Sequence, residues 1–80
     1  MGYYRPIDLL AVVVRHKEIT VNEAAKALGV TPQRISQISE RLVEAEMITK
    51  TADPLNKARY VMRPTREGIH RIRHPMAHDG

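Results

Sequence analysis

The sequence predicts an α+β fold that is mainly α, with a three-helix core, a two-stranded hairpin and a short C-terminal helix. Capping residues Thr20 and Thr31 mark two helix starts. Gly29 lies between them and supplies the left-handed turn that a helix end often needs. From Ile48 to Arg63 apolar and polar residues alternate around a turn-rich centre, which is typical of a hairpin.

The composition limits the chain to one domain with an aliphatic core. It has 80 residues, of which 42% are hydrophobic, and it contains no Phe, Trp or Cys. The absence of Cys excludes disulfides, thiolate metal sites and a cysteine nucleophile. The longest apolar run, Leu9–Val14, is far shorter than the roughly 20 residues of a membrane span. We therefore expect a cytoplasmic protein without a membrane segment.

The charge is positive and unevenly distributed. The net charge is +4, which favours a polyanionic partner. Residues 47–63 contain one acid and four cations, namely Lys50, Lys57, Arg59 and Arg63. Residues 40–46 contain one cation and three acids, namely Glu40, Glu44 and Glu46. This asymmetry indicates that one face is turned toward phosphate and another is turned away.

The first predicted helix, Pro6–His16, carries more apolar surface than one core-facing stripe requires. Three consecutive valines in it are also compatible with a buried strand, but the proline start favours a helix. One stripe contains Ile7, Leu10, Ala11 and Val14, and a second contains Leu9, Val12 and Val13. We expect the second stripe, with Tyr3 and Tyr4, to form a homodimer interface. The alternative is a monomer in which the hairpin and last helix cover the first helix.

The next two helices follow from capping and spacing. After a short extended piece, Thr20 and Glu23 form a capping box that opens a helix at Val21–Leu28. Thr31-Pro32 opens a third helix, which we expect to run to about Glu46. Its expected buried stripe consists of Ile35, Ile38, Leu42 and Ala45.

The C-terminal part of the chain is predicted to form two strands and a helix. The predicted strands are Ile48–Ala52 and Arg59–Arg63, joined by a turn-rich tip, with Ile48, Tyr60 and Met62 facing inward. Thr65 can cap a last helix near residues 66–73. We expect residues 1–74 to form the domain and residues 75–80 to be a flexible tail.

The segment Val21–Leu42 resembles a helix-turn-helix, with a small residue at the helix crossing and glycine in the turn. The positions that carry this resemblance are Ala25, Gly29, Val30, Ile35 and Ile38. With the hairpin as its wing, the element order is that of a winged helix-turn-helix. This fold enters the major groove of duplex DNA with its second motif helix.

The wing and the segment after it resemble the MarR family of transcriptional regulators. The matching stretches are Asp53–Arg59, where the family has an acidic-proline wing with arginines, and Pro64–Gly68, where it has Leu-Thr-x-x-Gly. Here Pro64 replaces the leucine, and Asn56-Lys57 stand where an acid and an arginine are commoner. Long terminal helices dimerise MarR proteins and form their effector pocket, and they are not present here at full size. The resemblance therefore implies a DNA-binding winged helix without implying a small-molecule effector.

This interpretation assigns DNA contacts to two elements. The predicted recognition-helix contacts are Thr31, Pro32, Gln33, Arg34, Ser36, Gln37 and Arg41, and the predicted wing contacts are Lys50, Asn56, Lys57 and Arg59. Gln33 and Gln37 lie one turn apart and suit adenine edges, whereas Arg34 suits guanine or phosphate. The wing cations suit the backbone or the minor groove.

Functions other than DNA regulation receive less support. Ser36 and Ser39 have no neighbouring histidine, and Glu40 and Glu44 have no pocket, so we expect no enzyme and no cofactor. His70, His74 and His78 have the spacing of metal ligands on a helix, but Pro75 interrupts it, and we expect a polar surface with no metal. The leading function is a small sequence-specific repressor. The alternatives are a DNA module of replication, recombination or repeat-array maintenance, and a winged-helix assembly module that binds protein.

Overall fold

A computed structural model describes residues 5–74 and confirms the winged helix-turn-helix. The elements in chain order are α1 (Pro6–His16), β1 (Ile19–Thr20), α2 (Val21–Leu28), α3 (Pro32–Glu44), β2 (Ile48–Asp53), β3 (Asn56–Pro64) and α4 (Arg66–Arg73). The three strands form one antiparallel sheet in the order β1-β3-β2. Tyr3, Tyr4 and the expected tail at residues 75–80 lie outside the described residues.

Helix α1 lies at the centre of the chain, and this corrects two of the residues expected at a dimer interface. Leu9 and Val13 are both 0% exposed, and Leu10 is buried beside them. Helices α2, α3 and α4 and strand β3 all contact α1. One chain thus covers much of both apolar stripes, while Ala11 is exposed. Val12 is half-buried against the same core. Leu9 and Val13 therefore cannot provide the dimer contact assigned to them from the sequence, because they are already out of water.

The turn between α2 and α3 has the geometry that its sequence predicts. The Thr20 hydroxyl accepts the Glu23 amide at 3.1 Å, and the Glu23 carboxylate accepts the Thr20 amide at 3.0 Å. Gly29 ends α2 in the left-handed conformation, with φ of 71°. Thr31 then caps α3 by accepting the Arg34 amide at 3.1 Å. These caps fix the angle at which α3 leaves α2.

Helix α3 is shorter than its apolar pattern predicts. It ends at Glu44, and Ala45 is exposed, so the predicted burial of Ala45 is wrong. Glu46 adopts a left-handed conformation with φ of 61°, and the Met47 amide donates to the Leu42 carbonyl at 2.9 Å. This closure satisfies a carbonyl of the last turn and redirects the chain into β2.

The wing is longer and tighter than its sequence predicts. Only Pro54 and Leu55 separate the strands, because the Asp53 carboxylate accepts the Leu55 amide at 2.9 Å and closes the turn. Ile48 and Met62 face inward as predicted, whereas Tyr60 is 44% exposed. Tyr60 is on the same face of β3 as Met62, but it lies beyond the edge of the helical core. The prediction that Tyr60 is buried is therefore wrong.

A glycine allows α4 to dock against the segment that follows α3. The Thr65 amide donates to the Met47 carbonyl at 3.0 Å, and the Thr65 hydroxyl caps α4 by accepting the Gly68 amide at 3.1 Å. Gly68 is buried, and a Cβ built on it overlaps the Met47 carbonyl oxygen and approaches Leu10 Cδ1 at 3.1 Å. The Thr-x-x-Gly segment thus packs one helix start directly against backbone.

We predict that Gly68→Ala lowers the free energy of unfolding by about 1–3 kcal/mol, because the methyl group overpacks this contact. The same substitution at an open helix position raises stability, since alanine is the better helix former by about 1 kcal/mol. Chemical denaturation of the variant and the parent measures the difference. A variant as stable as the parent would contradict the packing described for α4.

Candidate nucleic-acid interface

An open groove lies between α3, the start of α2 and the wing. Its volume is about 600 Å³. Its walls are formed by Thr20, Val21 and Asn22 at the start of α2, by Pro32, Gln33, Ser36 and Gln37 of α3, and by Ala58, Arg59 and Tyr60 of β3. The groove thus brings together four predicted recognition-helix residues and one predicted wing residue.

The exposed face of α3 is set by its buried face. Ile35, Ile38 and Leu42 are packed in the core, and this turns Gln33 and Gln37 outward one helical turn apart. Arg41 continues the same stripe toward the helix end and is exposed. Thr31 acts as the cap of α3, and Arg34 is half-buried. The solvent side of α3 therefore presents amide, hydroxyl and guanidinium groups, with the carboxylates Glu40 and Glu44 exposed in its second half.

Lys50, which the sequence analysis assigned to the wing contacts with DNA, contacts α3. Its ammonium donates to Ser39 Oγ and to Glu40 Oε2, both at 3.0 Å, and its side chain is only 12% exposed. Ser39 is buried and donates to the Ser36 carbonyl at 2.8 Å. Lys50 therefore connects β2 to α3, and its charge is matched by Glu40 instead of being presented to phosphate.

The other predicted wing residues are on the surface. Lys57 is exposed on β3 and makes no ion pair with any residue from 5 to 74. Arg59 is exposed at the groove, with its Nε 3.8 Å from the Asp53 carboxylate. Asn56 accepts the Ala58 amide at 3.1 Å, so its side chain shapes the strand start. The wing thus presents two cations, one of which borders the groove.

Five residues that line the groove were not predicted as contacts from the sequence, and two of them, Asn22 and Tyr60, carry polar side chains on opposite walls. Asn22 is exposed at the second position of α2, next to the capping threonine. The sequence marks Asn22 by its place inside the Thr20–Glu23 capping box, because a polar residue there that takes no part in capping points outward. Tyr60 lines the opposite wall, and the Lys50 ammonium lies 5.5 Å from its ring centroid. No local signal marks Tyr60 as a groove residue, because its alternation with Met62 predicts an inward position.

The Glu23 carboxylate lies near the groove and caps helix α2. The Thr20 amide donates to Glu23, and this hydrogen bond lowers the pKa of the Glu23 carboxyl below its ordinary value. Desolvation raises this pKa and is the second-largest influence, while the Thr20 hydroxyl, Arg59 and His16 add smaller lowering effects. The carboxylate thus remains charged while it caps α2.

Other kinds of site find little support in the described part of the chain. Residues 5–74 contain no group of three or more His, Asp or Glu side chains arranged to hold a metal ion. Over the same residues, no helix has the length and apolar character needed to cross a membrane.

A family model described as the MarR family matches residues 5–59, more than half of the chain. The chain belongs to the MarR family. This confirms the resemblance to the family, and the match includes the wing stretch Asp53–Arg59 but ends before Pro64–Gly68. No match was found among curated proteins.

Solved MarR-family structures share the fold. The YusO protein from Bacillus subtilis is 22% identical with a TM-score of 0.82, over 90% of this chain and 51% of its own. A MarR crystal structure is 28% identical with a TM-score of 0.81, over 90% of this chain and 53% of its own. A mutant MarR from E. coli complexed with operator DNA is 21% identical with a TM-score of 0.77, over 91% and 54%. The chain spans about half the length of these relatives.

We predict that Lys50→Met lowers the stability of this MarR-family domain by about 1–2 kcal/mol, because the buried Ser39 hydroxyl loses its charged donor. Glu40→Gln should cost less than about 1 kcal/mol, since Glu40 is 69% exposed. Urea denaturation of both variants measures these effects. If Lys50→Met instead kept full stability and weakened binding to a polyanion, Lys50 would belong to the interface after all.

Proposed function

We propose that this chain is the DNA-binding domain of a sequence-specific transcriptional regulator, which represses by occupying its site. The observation that carries the proposal is the groove. A polar helix face and a cationic wing edge border one open space. An α-helix with side chains is about 10–12 Å wide and the major groove is about 12 Å wide, so α3 fits it.

Base recognition is assigned to the exposed face of α3. Gln33 and Gln37 project from successive turns, and each amide can pair with the N6 and N7 atoms of an adenine. Asn22 lies across the groove and has the same chemistry. Arg41 lies further along α3, where a guanidinium suits either guanine or a phosphate. Sequence specificity therefore depends on a few amide side chains and one guanidinium.

Backbone binding is assigned to the wing. Lys57 and Arg59 are exposed on the strand that borders the groove. Each phosphate that they neutralise releases counterions, which makes affinity depend on salt. The acids Glu44 and Glu46 lie at the opposite end of α3 from Pro32, away from this wall. Of the four cations counted in the sequence, Lys57 and Arg59 lie on the wing surface, whereas Lys50 pairs with Glu40 and Arg63 pairs with Glu18.

The comparison structures support duplex DNA as the partner. A MarR-family relative of the same fold was solved in complex with operator DNA. The proposal places this chain in the cell interior, where such DNA is found, and gives it no catalytic role. A replication or recombination module would bind DNA through the same groove but without regulating a nearby gene. A protein-binding winged helix would have no use for exposed cations beside a row of amides.

The test separates base recognition from binding to the DNA backbone. Duplexes selected from a random pool should give a consensus, and Gln37→Ala should cost about 1–3 kcal/mol on that consensus and little on random DNA. Lys57→Ala should weaken all duplexes alike and reduce the salt slope by about one unit.

Matched controls come from the same helices. Glu44→Ala removes an exposed side chain from the far end of α3, and Lys26→Ala removes an exposed cation from α2 outside the groove. Neither should change the consensus preference. Equal weakening of consensus and random DNA by Gln37→Ala would refute the recognition face, and failure to select any consensus would refute sequence-specific regulation.

We also propose that the protein binds its site as a homodimer, as MarR-family regulators do. Two-fold symmetry would place two copies of α3 about one DNA turn apart, matching a palindromic site. Because Leu9 and Val13 are buried within one chain, the contact has to use other surface. Sedimentation equilibrium should show twice the 9.1 kDa chain mass at micromolar concentration. The dimer would be contradicted if the free protein stays at 9.1 kDa and if each palindromic duplex binds only one chain.

A further inference from the structure

Two histidines stand side by side at the end of α4. His70 and His74 are separated by one helical turn, both are exposed, and their ring centroids are 4.5 Å apart with planes tilted by 33°. Within residues 5–74 neither imidazole makes a hydrogen bond or an ion pair. His16 differs, since its Nδ1 donates to the Val12 carbonyl at 3.0 Å and it has no such neighbour.

We propose that His70 and His74 form a surface site for a divalent first-row transition metal ion of the Cu(II), Ni(II) or Zn(II) class. Imidazole nitrogen is a preferred ligand of these ions, whereas Mg²⁺ and Ca²⁺ require oxygen. His70 lies in the last turn of α4 and His74 is the C-cap residue, whose amide donates to the His70 carbonyl at 2.9 Å, so the two side chains are neighbours and can bind the same ion. This site is separate from the groove and does not depend on the proposed DNA function.

The ring separation fits binding of both imidazoles to one ion. With metal–nitrogen bonds of about 2.0–2.1 Å and the two rings at right angles on the ion, simple geometry places their centroids about 4.5 Å apart. The observed separation has that value. Because both rings are exposed, rotation about their side-chain bonds can turn one nitrogen of each toward a common point without moving the helix backbone.

The surroundings determine what kind of site this is. Within residues 5–74 no third protein ligand is grouped with the two histidines. The negative end of the helix dipole favours a cation at this turn, but Arg71 and Arg73 in the same turn oppose it. The site therefore binds an exchangeable ion and is not a structural centre. Since both ligands lie one turn apart, binding holds the last turn of α4 in its helical form.

Isothermal titration calorimetry of the untagged full chain with CuCl₂, NiCl₂, ZnCl₂ and MgCl₂ tests the site, at about pH 8 where free imidazole is neutral. We expect one ion per chain, affinity in the order Cu(II) above Ni(II) and Zn(II), and no binding of Mg²⁺. At about ten times the Kd, the metal should raise the Tm by about 5 °C or more, since it binds only the folded helix.

Substitutions of the two histidines test whether they are the metal ligands. His70→Gln and His74→Gln should each weaken binding by at least about tenfold and remove the metal-induced rise in Tm. His16→Gln should leave both unchanged, and the Tm of each variant without metal confirms that it is folded. If neither His70→Gln nor His74→Gln alters the affinity, or if His78→Gln abolishes binding while they do not, the assignment is overturned.

Discussion

The burial of α1 on more than one side is the constraint on which the rest of the domain depends. In a chain of 80 residues one helix has to serve as the common surface for all the others. Leu9, Leu10 and Val13 meet that need, because contacts from α3, α4 and β3 converge on α1. The absence of Phe and Trp makes such central packing necessary, since the aliphatic side chains bury less surface each.

The groove is built on top of this arrangement by a few polar contacts. Helix α3 is anchored to the core on one face, and Lys50 joins its buried Ser39 to β2. The start of α2 is fixed by the Thr20–Glu23 capping box, which places Asn22 opposite the wing. Each wall of the groove is thus tied to a different local interaction, and none depends on a loop.

Local signals in the sequence were enough for the order of elements and most of their ends. The caps at Thr20 and Thr31 and the left-handed Gly29 involve residues close in sequence, so their chemistry is visible without the fold. The errors concern longer distances. Whether Leu9 faces a partner or α4 depends on what packs there, and the exposure of Tyr60 depends on where the helical core ends.

The candidate site shows the same division. Gln33 and Gln37 were predictable because helical periodicity with Ile35 and Ile38 fixes their face. The contact of Lys50 with Ser39 was not predictable, because Ser39 is eleven residues away on another element and a positive charge in the wing has no local mark of being paired within the chain. Asn22 and Ala58 meet at one groove only through the pairing of β1 with β3.

The bridge from Lys50 to Ser39 and Glu40 has a mechanical consequence. It couples β2 of the wing to α3 and so restrains the spacing between the two walls of the groove. The entropy of arranging them is lost when the chain folds and not when a partner arrives. Under the proposed function, the protein discriminates between duplexes by the width of their grooves. DNA whose groove width already matches this spacing, or which deforms to it at low energy, gains an advantage even at base pairs that no side chain contacts.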